Sequence, residues 1–335
     1  MLTAELLISW LASFLNSPDL LKQALGLAIY AIGIVVLVIL FVYFVSWFER
    51  KLIAKIQARH GPTIVGKFGL LQNLADLTKL LAKENFAPKN ADKALFMLSL
   101  PVMLVLSIFL VMLLPIAPST GIGNFANGLL IIFALLAFMP LLIFVNGAAS
   151  GNKFGQISAQ RSTIMLLSYE IPMFIVVASI GMLTGTYNII GIVSAQSRMW
   201  FVVVMPLGFF VLFVSMLAEL ERSPFDLREA DSELISGWLT DVSAPYYSLA
   251  LFLDYAKMFL GCALIVILFF GGWQGPVLPP FAWFMIKILL VAIFIMLIRA
   301  TAVRMRIDRL LTYGWVVLLP LAFVNLIFTF VFFVK

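Results

Sequence analysis

Residues 25–48 read LGLAIYAIGIVVLVILFVYFVSWF, an apolar run without a single charged side chain. About 20 mostly apolar residues are enough for a helix to cross the hydrocarbon core of a membrane. Of the 335 residues in the chain, 63% are hydrophobic and 11% are charged, whereas soluble domains average roughly 45–50% and about 25%. A chain of this composition has too little polar surface to cover a soluble fold. The sequence therefore predicts an all-α integral membrane protein.

Seven further stretches are long and apolar enough to span a membrane, which predicts eight transmembrane helices. They are 94–117, 126–149, 161–184, 199–220, 248–272, 281–298 and 311–334. The first 24 residues contain Glu5, Pro18 and Asp19, and we expect them to form an interfacial amphipathic segment. We expect residues 1–335 to form a single membrane domain, with connecting loops at 49–93, 150–160, 221–247 and 299–310.

The distribution of basic residues predicts the orientation. Of the 22 Lys and Arg residues, 17 fall in these four loops or at their edges. Loops rich in Lys and Arg stay on the cytoplasmic side of a membrane. We therefore expect the four loops in the cytoplasm and both termini outside. The net charge of +6 follows from this asymmetry and does not indicate nucleic-acid binding.

The chain contains one cysteine, Cys262, and one histidine, His60. An internal disulfide or a thiolate-bound iron–sulfur cluster requires several cysteines, and a histidine-based haem or zinc site requires several histidines. We therefore predict that the chain binds no metal or redox cofactor of its own. If the protein takes part in electron transfer, the iron–sulfur clusters lie in partner subunits.

The first loop combines a predicted bend with a predicted surface helix. Gly61-Pro62, Gly66 and Gly69 indicate a chain folded back on itself at the membrane surface, where it shapes an entrance. Leu70, Leu74, Leu77 and Leu81 then share one helix face, and Asp76, Lys79 and Lys83 occupy much of the other. This spacing is typical of an amphipathic helix. A solvated basic loop that binds anionic headgroups is the alternative.

The loop 221–247 is acidic, although positive charge is usual on its side of the membrane. Its acids are Glu221, Asp226, Glu229, Asp231, Glu233 and Asp241, and its only basic residues are Arg222 and Arg228. One interpretation is a soluble cap neutralised by the neighbouring basic loops. The other is a polar funnel that leads protons or cations into the membrane. Arg299, Arg304, Arg306 and Arg309, near Asp308, are the expected counter-charges.

Several ionisable residues fall inside or at the ends of predicted spans: Glu170, Glu219, Asp254, Lys257 and Lys287. A charge at the centre of a membrane costs about 2.5–3.5 kcal/mol on insertion scales, so such residues normally face a polar interior. Asp254 and Lys257 are three residues apart and can neutralise each other on one helix face. Glu170 has no acid–base partner in its own span and is the strongest candidate for an ion carrier. The role of Lys287 stays open.

Several motifs coincide with those of a known family. They are Glu49-Arg50-Lys51, Arg59-x-Gly61-Pro62-x-x-Val65-Gly66, Gly69-Leu70-Leu71-Gln72-x-x-Ala75-Asp76-x-x-Lys79, Arg161, Ser168-Tyr169-Glu170, Glu219, Arg222-x-Pro224-Phe225-Asp226-Leu227-x-Glu229-Ala230, Ser232-Glu233-Leu234, Gly271-Gly272-Trp273, Arg299 and Arg304-x-Arg306-x-Asp308. Together they resemble the eight-span membrane-anchor subunit of respiratory complex I. Equivalent subunits occur in deazaflavin-dependent dehydrogenases of methanogens, membrane-bound hydrogenases and sulfur-reducing complexes.

The resemblance implies a non-catalytic subunit of a redox-driven, ion-pumping oxidoreductase in the cytoplasmic membrane of a prokaryote. Such a subunit docks a peripheral arm of iron–sulfur and hydrogenase-like subunits and joins it to antiporter-like membrane subunits. In quinone-using members it forms the membrane entrance and part of the quinone chamber.

The resemblance also assigns roles to residues. It implies that Glu170, Glu219 and Asp254, with Lys257 beside them, couple redox chemistry to proton or sodium translocation, and that the acidic loop faces the chamber. The residues expected to line the chamber or dock the arm are Arg50, Arg59, Gly61, Pro62, Gln72, Asp76, Lys79, Arg222, Arg299, Arg304, Arg306 and Asp308.

Departures from the pattern of the quinone enzymes keep alternatives open. Thr63-Ile64 stands where they usually read Asn-Arg, and Glu221, Arg228 and Asp241-Val242 also differ. These differences make the equivalent subunit of a ferredoxin-dependent hydrogenase or sulfur reductase, without quinone, the alternative. A stand-alone secondary transporter is disfavoured because no internal repeat is visible. A membrane prenyltransferase would need a paired-aspartate motif, which is absent.

Overall fold

A computed structural model describes residues 18–118, 125–226 and 237–333, with side chains from residue 26. Within these residues it contains thirteen α-helices and no β-strand. The helices are α1 (Pro18–Ile56), α2 (Gln72–Leu81), α3 (Lys93–Leu113), α4 (Gly128–Leu136), α5 (Phe138–Ala149), α6 (Lys153–Thr184), α7 (Ile189–Ala195), α8 (Phe201–Val204), α9 (Pro206–Glu219), α10 (Ala244–Phe269), α11 (Pro280–Thr301), α12 (Ile307–Thr312) and α13 (Leu319–Phe333). A π-helical turn, Tyr313–Leu318, joins α12 to α13. The all-α membrane fold is confirmed.

Seven of the described helical segments are long and apolar enough to cross a membrane. They are α1, α3, α4 with α5, α6, α10, α11, and α12 with α13. The span predicted at 199–220 is instead divided into the 4-residue helix α8 and the 14-residue helix α9. Pro206 is the first residue of α9, a position where its missing N–H leaves no helical hydrogen bond unmade. The eighth crossing therefore stays a prediction.

Two helices extend beyond the predicted spans. Helix α1 begins at Pro18, inside the segment predicted to be interfacial, and continues to Ile56, so that Glu49 and Arg50 are helical and not part of a loop. Helix α6 begins at Lys153 and not at residue 161. Hydropathy marks only the part of a helix that lies in lipid, and nothing in the sequence ends these helices at the membrane surface. Residues 1–17 of the interfacial segment lie outside the described residues.

Helices α6 and α10 form the centre of the bundle. Their most apolar windows are 67% and 78% buried within the protein, whereas those of α1 and α12–α13 are 22% buried. Helix α6 packs against α5, α9 and α13, and α10 packs against α1, α3 and α11. Glu170 on α6 and Lys257 on α10 are buried within the bundle. This arrangement meets the requirement that charge inside a membrane be enclosed by protein.

The loop before α2 folds back as its glycines predict. Gly66 and Gly69 have φ angles of 75° and 73°, which residues with a Cβ atom rarely adopt. A Cβ atom on Gly69 would also collide with the carbonyl group of Pro62. Helix α2 is held against α1 because the Asn73 amide donates to the Tyr43 carbonyl at 2.9 Å and to the Ser46 hydroxyl at 2.6 Å.

Candidate functional site

A buried ion-pair network lies where α1, α10 and α11 meet the segment after α9. The Glu49 carboxylate, 1% exposed, accepts a hydrogen bond of 2.8 Å from Arg222 and a second one from Arg299. The Arg222 guanidinium lies 5.0 Å from the centre of the Tyr255 ring, and the Tyr255 side chain interacts with Glu49. We call these four residues the Glu49 network. Since a buried carboxylate needs compensating charge, the two arginines fix the ends of α9 and α11 to α1.

A crevice of about 190 Å³ lies between α1, α2 and α10 and reaches this network. Its walls are mainly apolar, with Ile39 and Val42 on α1, Leu77 on α2 and Phe252 on α10. The lining also contains polar side chains, among them Ser46, Arg50, Asn73, Asp76 and Tyr255. Because Tyr255 belongs to both the crevice and the Glu49 network, a molecule that enters the crevice comes next to the buried ion pairs.

Asp76 forms an ion pair at the wall of this crevice. Burial raises the pKa of the Asp76 carboxyl, but hydrogen bonds from Arg50, at 2.6 Å, and Gln72, at 2.9 Å, lower it by more, so the net pKa lies below its usual value. Asp76 is therefore ionised at neutral pH. The apolar side chains of α2, including Leu74 and Leu77, are exposed in the isolated chain. An amphipathic helix at 72–81 is thus confirmed.

A second group of buried charges lies between α6, α9 and α10. Glu170, Glu219 and Lys257 are each at most 7% exposed, and Lys257 interacts electrostatically with both carboxylates. We call these three residues the carboxylate–lysine cluster. Among the described residues, Oε1 of Glu170 is buried without a hydrogen-bond partner. A cavity of about 10 Å³ touches Glu219 and Lys257, which is about the space that one water molecule needs.

Glu221 connects the two groups of charges. It interacts electrostatically with Glu219 and is the sequence neighbour of Arg222, which is bound to Glu49. Its φ angle of 49° lies in the left-handed region, where a residue with a side chain is strained by about 1–3 kcal/mol. Six buried ionisable residues thus form one series, which we call the charge row: Glu49, Arg222, Glu221, Glu219, Lys257 and Glu170.

The arginines of the last loop were predicted to pair with the acidic loop, and within the described residues Arg304 does so, 3.4 Å from Asp226. Arg299 instead binds Glu49, because α1 extends far enough to bring Glu49 beside the end of α11. Arg306 pairs with Asp308 in its own segment at 3.5 Å. Asp241 lines a polar cavity of about 420 Å³ with Lys89 and Lys153. Glu229, Asp231 and Glu233 lie outside the described residues.

The other predicted residues lie either on α10 or in the predicted loop 49–93. Lys257 interacts electrostatically with carboxylates on α6 and α9, and Asp254 is half-buried one turn earlier on α10. The same-helix pair of Asp254 with Lys257 stays a prediction. Arg59 bonds locally to Gln57, while Gly61 and Pro62 shape the loop before α2. Lys79 is exposed on α2. The roles predicted for all of these residues stay predictions.

The sequence did not indicate a role for Lys287, whereas the structure shows which groups it binds. Its ammonium group donates to the carbonyls of Phe270, Gly272 and Gln274 at 2.7, 3.0 and 2.7 Å. It also lies 5.1 Å from the centre of the Trp200 ring. These carbonyls follow the C-terminus of α10, where a helix carries partial negative charge. Lys287 therefore caps the C-terminus of α10 by binding carbonyl groups in and beside the Gly271-Gly272-Trp273 turn.

Lys287→Met is expected to lower the free energy of unfolding by about 3 kcal/mol, because it leaves buried carbonyl groups without their charged donor. Thermal unfolding of the solubilised protein in one detergent measures the change. Lys55→Met, at an exposed position of α1, is the matched control and should stay within about 0.5 kcal/mol of the unaltered protein. Equal stability of the two variants would refute the capping role.

Fold and site together define a multi-pass helical membrane protein organised around a row of buried charges. A family model described as NADH dehydrogenase matches residues 29–330. The chain therefore belongs to this family, whose members are the membrane subunits of complex-I-like complexes. The resemblance to the membrane-anchor subunit of complex I is thus confirmed.

Three relatives illustrate the family. The H subunit of NADH-quinone oxidoreductase from Dehalococcoides mccartyi (strain CBDB1) is 40% identical over 90% of this chain and 86% of its own length. The protein of the same name from Brevibacillus brevis is 39% identical over 92% and 96%. The H subunit of F(420)H(2) dehydrogenase from Methanosarcina acetivorans is 37% identical over 84% and 86%. These names cover two different electron donors.

The site contains residues whose roles sequence reasoning missed. Glu49 belongs to a recognisable motif, but its partners Arg222 and Arg299 lie far away in sequence. No sequence motif indicates a role for Tyr255. An acid that directly follows an apolar span gives no indication of its partners on other helices. The contact of Lys257 with two other helices likewise depends on the packing of α6, α9 and α10.

Proposed function

We propose that this chain is the subunit of a complex-I-like oxidoreductase that couples electron transfer in a peripheral arm to ion translocation. The charge row is the observation that carries the proposal, because it leads from an open crevice to carboxylates in the centre of the bundle. A change in charge at the Glu49 network alters the energy of its neighbours, since close ionisable groups titrate as a coupled set. Glu221 and Glu219 then transmit the change to Glu170.

The crevice between α1, α2 and α10 is the proposed entrance for a quinone. Its apolar walls suit a prenyl tail, and Arg50, Asp76 and Tyr255 offer polar groups for a quinone head. Two of the three relatives described above are named as parts of a quinone oxidoreductase, which supports this acceptor. An apolar cleft with a few convergent polar groups is the usual form of a small-molecule site.

The proposal includes the surroundings of the chain. The basic loops and the acidic loop face the cytoplasm of a prokaryotic cell, where they dock iron–sulfur and hydrogenase-like subunits, and antiporter-like subunits lie beside the bundle. The whole chain acts as one membrane domain with both termini outside. The translocated ion is a proton or sodium, carried by Glu170, Glu219 and Asp254 together with Lys257.

Two tryptophan variants on α2 test the quinone entrance. Leu77 lines the crevice, whereas Leu74, on the same helix and also exposed, does not. Leu77→Trp should raise the KM for a short-chain quinone on the order of tenfold, since overfilling a packed site costs about 1–3 kcal/mol. Leu74→Trp should leave it within about twofold.

Steady-state kinetics of the purified complex, with a quinone analogue as inhibitor, supplies the measurement. Equal KM values for the two variants would place the quinone elsewhere. A complex that the quinone analogue does not inhibit, and that uses electrons from ferredoxin to evolve hydrogen or reduce sulfur compounds, would instead support the alternative without quinone.

A further inference from the structure

Three buried polar side chains on α5 and α6 have no hydrogen-bond partner among the described residues. They are Asn146, whose amide oxygen and nitrogen are both unpaired, and the hydroxyl groups of Ser158 and Ser162. All three residues are 0% exposed. Buried polar groups are satisfied either by other protein groups or by ordered water. We call these three residues the Asn146 cluster.

The members of the Asn146 cluster lie on one side of the α5–α6 pair. The two helices are antiparallel because a tight turn joins them, and Gly147 packs so closely against Ala159 that a Cβ atom on Gly147 would collide with that of Ala159. Asn146 and Ser158 directly precede these two contacting residues, so both point to the same side of the antiparallel pair. Ser162 follows Ser158 by one helical turn. The three side chains therefore form one polar patch.

The Asn146 cluster lies between two cavities. Met139 stands two turns before Asn146 on the same face of α5, and Ser150 stands one turn after it, which corresponds to about 10 Å and about 6 Å along the helix. Met139 lines the small cavity at the carboxylate–lysine cluster. Ser150 lines the polar cavity of about 420 Å³ that also contains Asp241. One face of α5 thus leads from a polar surface cavity to the buried carboxylates.

Protein encloses this face and places an acid at its outer end. The short turn Gly237–Leu239 packs against both α5 and α6, and its Trp238 side chain is 1% exposed. At the polar cavity, Oδ2 of Asp241 is buried without a hydrogen-bond partner among the described residues. A bound water molecule can donate to this oxygen, which gives the route a polar entrance.

We propose that the Asn146 cluster binds a chain of ordered water molecules through which protons pass from the polar cavity at Asp241 to the carboxylate of Glu219. A buried water molecule makes about three hydrogen bonds, and the amide and the two hydroxyl groups supply both donors and acceptors for them. This inference rests on the proposed ion translocation and adds a proton entrance to it. The entrance is separate from the crevice between α1, α2 and α10.

The chemistry of the cluster selects the proton. A proton moves by rearrangement of hydrogen bonds: one enters the chain at the polar cavity, another leaves it to the Glu219 carboxylate, and nothing is oxidised or reduced. A metal cation would have to leave bulk water for a site made of neutral side chains, where no charge offsets the loss of hydration. The Asn146 cluster therefore acts by positioning water.

Radiolytic labelling of the resting complex in ¹⁸O-water tests hydration without turnover. Hydroxyl radicals formed from bound water oxidise the side chains beside it, and mass spectrometry detects the ¹⁸O. Met139 and Met205 are both 1% exposed, but only Met139 lies on the proposed route. Met139 should acquire ¹⁸O and Met205 should not, and Asn146→Leu should slow the labelling of Met139 on the order of tenfold, since water loses a hydrogen-bonding partner. Labelling of Met139 at the same rate in both proteins would overturn the proposal.

Turnover of the purified complex in H₂O and D₂O tests proton delivery. Asn146→Leu should lower turnover on the order of tenfold, leave the KM for the electron acceptor unchanged and increase the solvent isotope effect. Asn146→Ser, which keeps a hydroxyl group and leaves room for a further water molecule, should restore both. An unchanged turnover and isotope effect with Asn146→Leu would overturn the water chain, and a reduced ion-to-electron ratio with Glu170→Gln would then leave the proposed function standing.

Thermal unfolding separates this role from a structural one. Asn146→Leu should not lower the unfolding temperature, because its amide has no hydrogen-bond partner among the described residues. Asn325 is equally buried, at 1% exposed, but donates a hydrogen bond of 3.0 Å to Ser179. Asn325→Leu should therefore lower the unfolding temperature without changing the solvent isotope effect. The reverse pattern would show that Asn146 stabilises the bundle and does not position water.

Discussion

Glu49→Ala is expected to destabilise the protein by about 3–5 kcal/mol, the usual cost of removing one partner of a buried ion pair. The substitution leaves the guanidinium of Arg222, whose side chain is 9% exposed, buried without its carboxylate. It also releases Arg299 at the end of α11. Thermal unfolding of the solubilised protein and the amount of assembled complex in membranes both report the loss.

Two variants show whether the loss comes from unpaired charge. Glu49→Leu combined with Arg222→Met should recover much of the stability, because a buried pair can be replaced by apolar side chains at little cost. Arg50→Ala breaks an exposed pair with Asp76, whose side chains are 44% and 36% exposed, and should cost at most about 1 kcal/mol. If the double variant were no more stable than Glu49→Ala, the pairing explanation would be wrong.

Lys257→Met should have a comparable effect at the other end of the charge row. It removes the buried positive charge that faces Glu170 and Glu219, and the expected destabilisation is again about 3–5 kcal/mol. Combining it with Glu219→Gln removes one negative charge as well and should restore the amount of assembled complex. Immunoblots of assembled complex and thermal unfolding measure both variants. No rescue in the double variant would show that Lys257 and Glu219 do not balance each other.

Hydropathy predicts the membrane fold and the approximate spans from the sequence because it depends only on local composition. The amphipathic helix at 72–81 and the bend at Gly66 and Gly69 are also predictable, since both follow from residues close together in the chain. The break before Pro206 escapes this kind of prediction, although proline at the start of a helix is a local signal. An apolar window averages over such a break.

The partners of the charges cannot be predicted in the same way. Glu49 and Arg222 are 173 residues apart, and Arg299 joins them only because α1 continues past the apolar run into the loop region. The spacing of Lys257 suggests a pair with Asp254 on one helix, but only the packing of α6, α9 and α10 reveals that Lys257 also interacts with Glu170 and Glu219. Lys287 cannot be assigned from the sequence because its acceptors are backbone carbonyls, which every residue carries.

The ratio of translocated ions to transferred electrons, measured with Glu170→Gln, tests the coupling role most directly. The variant replaces the ionisable carboxyl of Glu170 with an amide of the same size, and complexes reconstituted in liposomes report both fluxes together. We expect normal assembly and a reduced ratio, whereas Glu84→Gln, at an exposed position, should leave the ratio unchanged. An unaltered ratio with Glu170→Gln would contradict the role of the charge row in ion translocation.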